Sequence, residues 1–378
     1  MKKLLALVTT LALALTLSAC GGGDDTIKFG VIGPLTGDYS LYGTAVENGA
    51  KLAAMELNEA GGVLDKDLEI IAYDSKGDPT EGVNAYNRLR DQDEIDALIG
   101  GTFSGVTLAI KELAVDDGLP VLTPTATNPD VTLNAANVFR ACYTDSYQGS
   151  VAAVFAADTL MADNVAVMYN RDDAYSEGLA QAFMDEFDAR GLNYTAFQFG
   201  ADDDDYSAIL TNIDAGDATN GAYDAVFLPA YVAEVGKALT QADNLGLEMP
   251  FIGGDGWDGI EADYAAVAEG NYFANHYAKT DEAAVVQDFV ANYTAEFGEA
   301  PNALAALAYD AVYAMAAAFE EAGSTDNAAV VAALADLVYT DAVTGSITFD
   351  ENGDPIKSIT IIKVVGGEHV VETKVDAS

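Results

Sequence analysis

Three short stretches of the chain carry polar groups that could act together on one small molecule. The first is "GGTFSG", Gly100 to Gly105, where Ser104 stands between a strand-forming run and a helix-forming run that begins near Val106. A serine in that place can cap the helix, and the free N–H groups of a first turn favour an anion such as a carboxylate. The second is "LTPTATNP", Leu122 to Pro129, in which prolines bracket Thr125, Ala126, Thr127 and Asn128. Proline fixes its own φ and pushes the preceding residue towards an extended conformation, so the loop can hold hydroxyls and backbone groups at a fixed spot. The third is "IGGDGWD", Ile252 to Asp258, where glycines flank Asp255 and would let the chain approach a ligand closely. Donors on one side and a carboxylate on the other suit a zwitterion. Each stretch also has a plainer reading, as a helix cap or a turn.

Other chemistries find little support. The glycines of "GVIGPLTG" fall at 30, 33 and 37, which is not dinucleotide spacing, and no G-x-x-x-x-G-K-[ST] occurs. His276 and His369 each stand without a cysteine or histidine at ligand spacing, so neither a zinc site nor any cofactor is expected. No G-x-S-x-G nucleophile elbow appears. "ADDDDY" (Ala201–Tyr206) and "DENGD" (Asp350–Asp354) are acidic clusters, but neither has the spacing of a calcium loop. The formal net charge is −44, so the surface repels nucleic acid and anionic lipid.

The three stretches need a frame that brings strand ends together. The chain has 378 residues, half of them hydrophobic, enough for two or three domain-sized units. From Ile27 onward strand and helix signals alternate. "IKFGVIG" reads as a buried strand, and "AVENGAKLAAMELNEAGG" as a helix with Val46, Leu52, Met55 and Leu57 mostly on one stripe. "LEIIAYD", "IDALIGG" and "LPVLTP" are further strands, separated by the helical runs "GVNAYNRLRDQ" and "TLAIKELAVDDG". This order gives an α/β fold with a parallel sheet covered on both faces. A second run of the same kind begins after "FRACYTDSYQG". An alanine-rich helix follows, and the chain closes with "GSITFDENG" and "KSITIIKVV", two short strands expected to complete sheets already begun. In open α/β sheets ligands gather at the carboxyl ends of strands, where all three polar stretches fall.

The N-terminus reads as an export signal: Lys2 and Lys3, an apolar run Leu4–Leu17, then small residues. The run is short of the ~20 residues a membrane span needs, and no later stretch is expected to span. Leu17-Ser18-Ala19 before Cys20 resembles a bacterial lipobox, which implies cleavage before Cys20, acylation of that cysteine and a lipid anchor in the membrane. Ordinary cleavage after Ala19 is the alternative. On the lipoprotein reading residues 1–19 are the signal and 20–26 a flexible tether. Cys142 is then the remaining cysteine, expected as a small buried hydrophobe with no disulfide.

Several stretches in order, "GPLTGDYSLYG", "NGAKLAAMELNEAGG", "YDSKGDP", "IGGTFSG", "TPTATNP", "FRACYTDSYQG", "NRDDAYSEG" and "FDENGD", resemble the substrate-binding proteins of branched-chain amino acid ABC importers. The resemblance runs from Ile27 to the C-terminus. It implies a type I periplasmic binding protein with two Rossmann-like lobes, each with a parallel sheet, and three interlobe crossings near Cys142–Asp145, Asn275–Tyr277 and Asn352–Asp354. Lobe 1 would be residues 27–144 with 278–351, and lobe 2 residues 145–277 with 352–378. By the same resemblance Ser104 and Thr127 hold the ligand α-carboxylate. The Thr125 carbonyl, the Thr127 hydroxyl and Asp255 meet its ammonium group. Tyr42, Thr102, Phe103, Ala126, Tyr175, Tyr231 and Trp257 shape the side-chain pocket. The implied function is an extracytoplasmic, monomeric receptor, not an enzyme, that binds a small amino acid (Leu, Ile or Val) and delivers it to permease subunits. The alternatives are the same fold holding an amide, urea or other small solute, a sensor subunit, and a secreted α/β enzyme. Trp257 beside the acid and the lack of the family's intrachain disulfide are departures from the pattern.

Overall fold

A computed structural model describes residues 26–376. The export signal, Cys20 and the tether up to Asp25 lie outside the described residues. The chain begins with β1 (Thr26–Gly33), α1 (Ser40–Glu59), β2 (Asp67–Asp74) and α2 (Pro79–Arg88). It continues through β3 (Ala97–Gly101), α3 (Ser104–Asp117), β4 (Val121–Thr123) and β5 (Val138–Arg140). These strands form a five-stranded sheet in the order β2-β1-β3-β4-β5, parallel throughout. β1 is one of three interior strands, with Ile27, Phe29, Val31 and Ile32 all buried, as both faces of a parallel sheet must be. Local chemistry starts the helices: Asp78 caps α2 by accepting from the N–H groups of Thr80 and Glu81, with Pro79 at the first helical position.

The second sheet takes up the chain after Arg140. α4 (Asp145–Val154) leads to β6 (Asn164–Asn170), α5 (Ala174–Arg190), β7 (Asn193–Phe199), α6 (Ser207–Ala215) and β8 (Ala225–Phe227). α7 (Val232–Leu245), β9 (Phe251–Gly253), α8 (Glu261–Ala268) and β10 (Tyr272–Asn275) follow. The chain then gives α9 (Ala284–Phe297), α10 (Ala303–Ala322) and α11 (Asn327–Ala335). α9 and α10 pack against α1, so this segment completes the first lobe. At Gly49 the two backbones nearly touch: a Cβ there would lie 2.1 Å from the Ala305 carbonyl oxygen. α10 has 20 residues and is apolar enough to cross a membrane by length and composition, which the sequence reading did not expect of any stretch after the signal. Most of it is buried inside the first lobe, and that burial accounts for its composition.

The C-terminal strands differ from expectation. β11 (Val338–Tyr339) and β12 (Ile347–Thr348), the latter inside "GSITFDENG", pair only with each other. β13 (Ile359–Val365) does join the second sheet, but antiparallel to β10, and a further strand, β14 (Glu368–Val375), folds back on it. The second sheet has the order β14-β13-β10-β9-β8-β6-β7, parallel except at this edge. The Gly366–Gly367 turn joining β13 to β14 has positive φ at both residues, 62° and 77°, the geometry a two-residue hairpin favours. Chain returning from the first lobe adds to the outer edge, where no crossover helix constrains its direction.

Candidate functional site

The carboxyl ends of β3, β4 and β9 meet across the cleft between the lobes. The cleft is lined from lobe 1 by Tyr42, Thr102, Phe103, Ser104, Thr125 and Leu304, and from lobe 2 by Tyr175, Tyr231, Asp255 and Gly256. Its unfilled space is about 300 Å³, including solvent at the mouth. Only about 20 Å³ of it admits a water-sized sphere, room for about one water, so the cleft is closed up well below the roughly 300–1,000 Å³ of an open small-molecule pocket.

The threonine loop is held from three sides. Ser104 is the first residue of α3 and does not cap it; its hydroxyl accepts from the Asn128 N–H at 3.2 Å, tying the loop to the helix start. The Thr125 hydroxyl donates to the Thr102 carbonyl at 2.6 Å. Beneath the loop lies Arg140, wholly buried. It donates to the carbonyls of Ala126 (2.9 Å) and Pro129 (3.2 Å), to Thr132 Oγ1 (2.9 Å) and to Asp354 Oδ1 (2.5 Å). Ala126 is fully buried and contributes through this carbonyl, not as a cleft wall. On the far side Asn128 Nδ2 donates across the cleft to the Ala174 carbonyl at 2.9 Å. Thr127 is buried, and its hydroxyl has no hydrogen-bond partner among the described residues.

Two buried carboxylates face this loop. Asp255 opens a single turn after β9 and is well partnered. Gln148 donates to its Oδ1 at 3.1 Å and accepts from its N–H at 2.7 Å, while His276 Nε2 lies 2.9 Å from its Oδ2. Burial holds the His276 ring below its usual pKa, against the Asp255 carboxylate, and Tyr143 stacks on it at 3.7 Å. Asp145 is the other. Its N–H donates to the Thr127 carbonyl at 2.9 Å, yet neither carboxylate oxygen has a partner among the described residues. Its Oδ2 lies beside Gly178. Burial first, then the charge of Asp255, pushes the Asp145 carboxyl well above the usual carboxylate range, with the Thr127 hydroxyl and Arg140 acting against this. Asp145, Gln148, Arg140 and His276 were not singled out as site residues from the sequence. The available signal was Asp145 and Gln148 three apart on one face of a helix at a chain crossing.

Aromatic rings close the cleft. Phe103 stacks on Tyr231 at 4.3 Å, and Tyr175 lies behind Tyr231 at 5.1 Å. Tyr42 donates to the Gly256 carbonyl at 2.6 Å and accepts from the Val232 N–H at 2.7 Å, both across the cleft. The Tyr39 hydroxyl donates to Glu234 in the same sense. Tyr175 also accepts from the Gly256 N–H at 3.0 Å. Trp257 is not a cleft residue. It is fully buried in lobe 2, where its Nε1 donates to the Leu228 carbonyl at 2.9 Å and its ring lies against Gly253 and Phe273. The turn of three residues from Asp255 reverses the side-chain direction, so acid and indole face opposite ways.

A larger cavity, about 1030 Å³ by the same measure, lies nearer the Asn275–Lys279 crossing. Its charged groups lie close to one another: His369 Nε2 is 2.8 Å from Glu261 Oε2, though neither atom makes a well-aligned hydrogen bond, Lys279 Nζ is 3.6 Å from Glu261 Oε1, and Asp258 Oδ2 accepts from the Ala303 N–H at 2.5 Å. The smaller cleft, which gathers Ser104, Thr125 and Asp255 from the three strand ends, is the better candidate; Thr127 and Asp145 are buried behind its lining and do not form part of it. Among the described residues no group of three or more His, Cys, Asp or Glu could hold a metal ion.

Comparison with known proteins bears on the family and the fold. The profile of the family described as periplasmic binding protein matches residues 26–368. A Leu/Ile/Val-binding protein homolog 3 of Brucella melitensis is 32% identical over 93% of this chain and 94% of its own length. The Leu/Ile/Val-binding protein BraC3 of Rhizobium johnstonii is 33% identical over 92% and 93%. Among solved structures, a leucine binding protein LivK from Thermotoga maritima superposes with a TM-score of 0.86 at 33% identity, covering 93% of this chain and 99% of that one. A branched-chain amino acid transporter substrate binding protein LivJ from Streptococcus pneumoniae, in complex with isoleucine, gives 0.85 at 30% identity with the same coverage.

Proposed function

The chain belongs to the periplasmic binding protein family, and on that footing we propose that it captures a free α-amino acid between its lobes and hands it to an ABC importer. The single observation that carries this reading is the pairing of Thr127 and Asp145: two adjacent buried polar groups, a hydroxyl able to accept and donate and a carboxyl, with no well-formed hydrogen bond to any third group. Buried polar groups are nearly always hydrogen-bonded, and exceptions mark sites with another purpose. The first turn of α3 and the Ser104–Asn128 contact lie next to them and suit the ligand carboxylate. Thr127 and the Thr125 carbonyl suit the ammonium group, with Asp145 and Asp255 supplying negative charge. Family membership places the protein outside the cytoplasm, and the family binds solutes for transport without transforming them. We also infer acylation at Cys20, attachment to the membrane through it, and action as a monomer docking on permease subunits. The residues behind this are the lipobox-like Leu17-Ser18-Ala19-Cys20.

Thr127→Ala is expected to weaken amino-acid binding by more than one ordinary hydrogen bond, because bonds to charged groups contribute about 1.5–3 kcal/mol. Titration calorimetry with a panel of amino acids tests this; an unchanged affinity would make the loop merely a turn. Closure is expected to follow binding. Tyr42, Tyr39 and Asn128 each make hydrogen bonds to lobe 2 that an open form lacks, and a ligand shifts the balance by binding the closed form better. Small-angle scattering should show a smaller radius of gyration with saturating ligand than without. An equal radius in both conditions would count against hinge closure.

A further inference from the structure

We propose that the Phe103–Tyr231 ring pair limits the length of the ligand side chain, so that the site takes α-amino acids from alanine to valine in preference to leucine. This rests on the reading of the cleft as an amino-acid site. The two rings come from opposite lobes and stack directly, at 4.3 Å with 24° between planes. Neither can withdraw easily. Tyr175 stacks on Tyr231 from within lobe 2 at 5.1 Å. Phe103 is seated over Gly77, where even a Cβ would come within 3.2 Å of its ring. Tyr42 stands edge-on to both rings at 5.5 Å, and its hydroxyl is fixed by the Gly256 carbonyl and the Val232 N–H.

A side chain entering this corner therefore finds little room while the rings stand together, since only about 20 Å³ of the cleft admits a water-sized sphere. A side chain of one or a few carbons, seated against Leu304 and the ring edges, needs the least parting of the pair. A longer branched chain must part Phe103 from Tyr231, and parting them moves the lobes apart. The two Tyr42 bonds to lobe 2 are then lost, because one hydroxyl spans both contacts. Discrimination works through closure: the larger ligand is bound by a less closed form that lacks these bonds, a repulsive element and not a missing attraction.

Calorimetry of the intact folded protein against alanine, valine, leucine and phenylalanine tests the proposal. Leucine is expected to bind at least tenfold more weakly than the better of alanine and valine, about 1.4 kcal/mol. Phe103→Ala should raise the leucine-to-alanine affinity ratio by tenfold or more. Phe103→Leu, which keeps apolar contact with Gly77 and Tyr42, should move the ratio the same way and serves if the alanine variant does not fold. Leucine binding as tightly as alanine and valine in the wild type, or a ratio unmoved in both variants, would overturn the size limit while leaving the amino-acid reading intact. No binding of any amino acid would overturn that reading and the size limit with it.

Discussion

Asp145→Asn is expected to weaken amino-acid binding by roughly two orders of magnitude or more without destabilising the ligand-free protein. Removing one partner of a buried ion pair costs about 3–5 kcal/mol, and each tenfold in affinity is about 1.4 kcal/mol. In the ligand-free protein burial favours the protonated, neutral carboxyl, whose oxygens make no well-formed hydrogen bond, so the neutral asparagine costs the fold little. A merely structural acid would behave in the opposite way on both counts. The pH dependence follows from the raised pKa of Asp145. The folded state holds this proton to higher pH than the unfolded chain. Its contribution to stability is therefore fullest below the unfolded carboxyl pKa of ~3.9, and is lost as pH rises from there through the folded value. The groups facing Asp145 are Asp255, Arg140, Asp173 and the Thr127 hydroxyl. Asp173, capping α5, is itself raised to about 6, chiefly by burial, and titrates alongside. A ligand ammonium beside Asp145 favours the ionised form, so binding should release a proton and affinity should rise with pH up to the raised value. Calorimetry in buffers of different ionisation heat detects that release; Asp145→Asn should abolish it. Wild-type affinity in that variant would remove Asp145 from the site.

Arg140→Met should unfold the protein at distinctly lower denaturant, by about 3–5 kcal/mol, and abolish tight ligand binding at conditions where the variant is still folded. One buried guanidinium satisfies two carbonyls of the threonine loop, the Thr132 hydroxyl and the Asp354 carboxylate. Methionine fills much of the volume but leaves all four acceptors facing an apolar chain. Lysine is a poor substitute, since a single ammonium cannot reproduce the planar fork. Arg140→Lys should therefore keep part of the stability and lose most of the binding, through a loosened Thr127. Urea titration and calorimetry on the two variants separate these effects. A wild-type midpoint for Arg140→Met would show that the loop stands without its post.

The α/β order was legible because strand and helix periodicities differ and glycines and prolines punctuate them. Ser104, Thr125, Thr127 and Asp255 stood out because polar residues after apolar runs mark strand ends. The family resemblance puts Trp257 in the pocket, and a single turn undoes that, since three residues suffice to point the indole into the core. Asp145 and Arg140 could not be ranked from the sequence: among 61 acidic residues a partnerless one looks like any other. What distinguishes Asp145 is burial without a hydrogen bond, and what distinguishes Arg140 is four acceptors drawn from Ala126, Pro129, Thr132 and Asp354. Both are properties of the assembled lobes. The antiparallel edge at β13 and β14 escaped for a similar reason, because short apolar runs do not declare their direction.

The near contact of α1 and α10 at Gly49 and Ala305 also fixes an order of events during synthesis. The first lobe is begun by the first strand to emerge, yet one face of its sheet stays uncovered until the chain beyond Ala303 has been made. The second lobe is likewise unfinished until β13 reaches β10. Neither half can form a complete core while the other is still being made, so stable structure comes late and its contacts are long-range, which makes folding slow. For a chain whose N-terminus reads as an export signal, that delay is useful: a polypeptide that cannot close its cores early stays threadable until it has crossed the membrane.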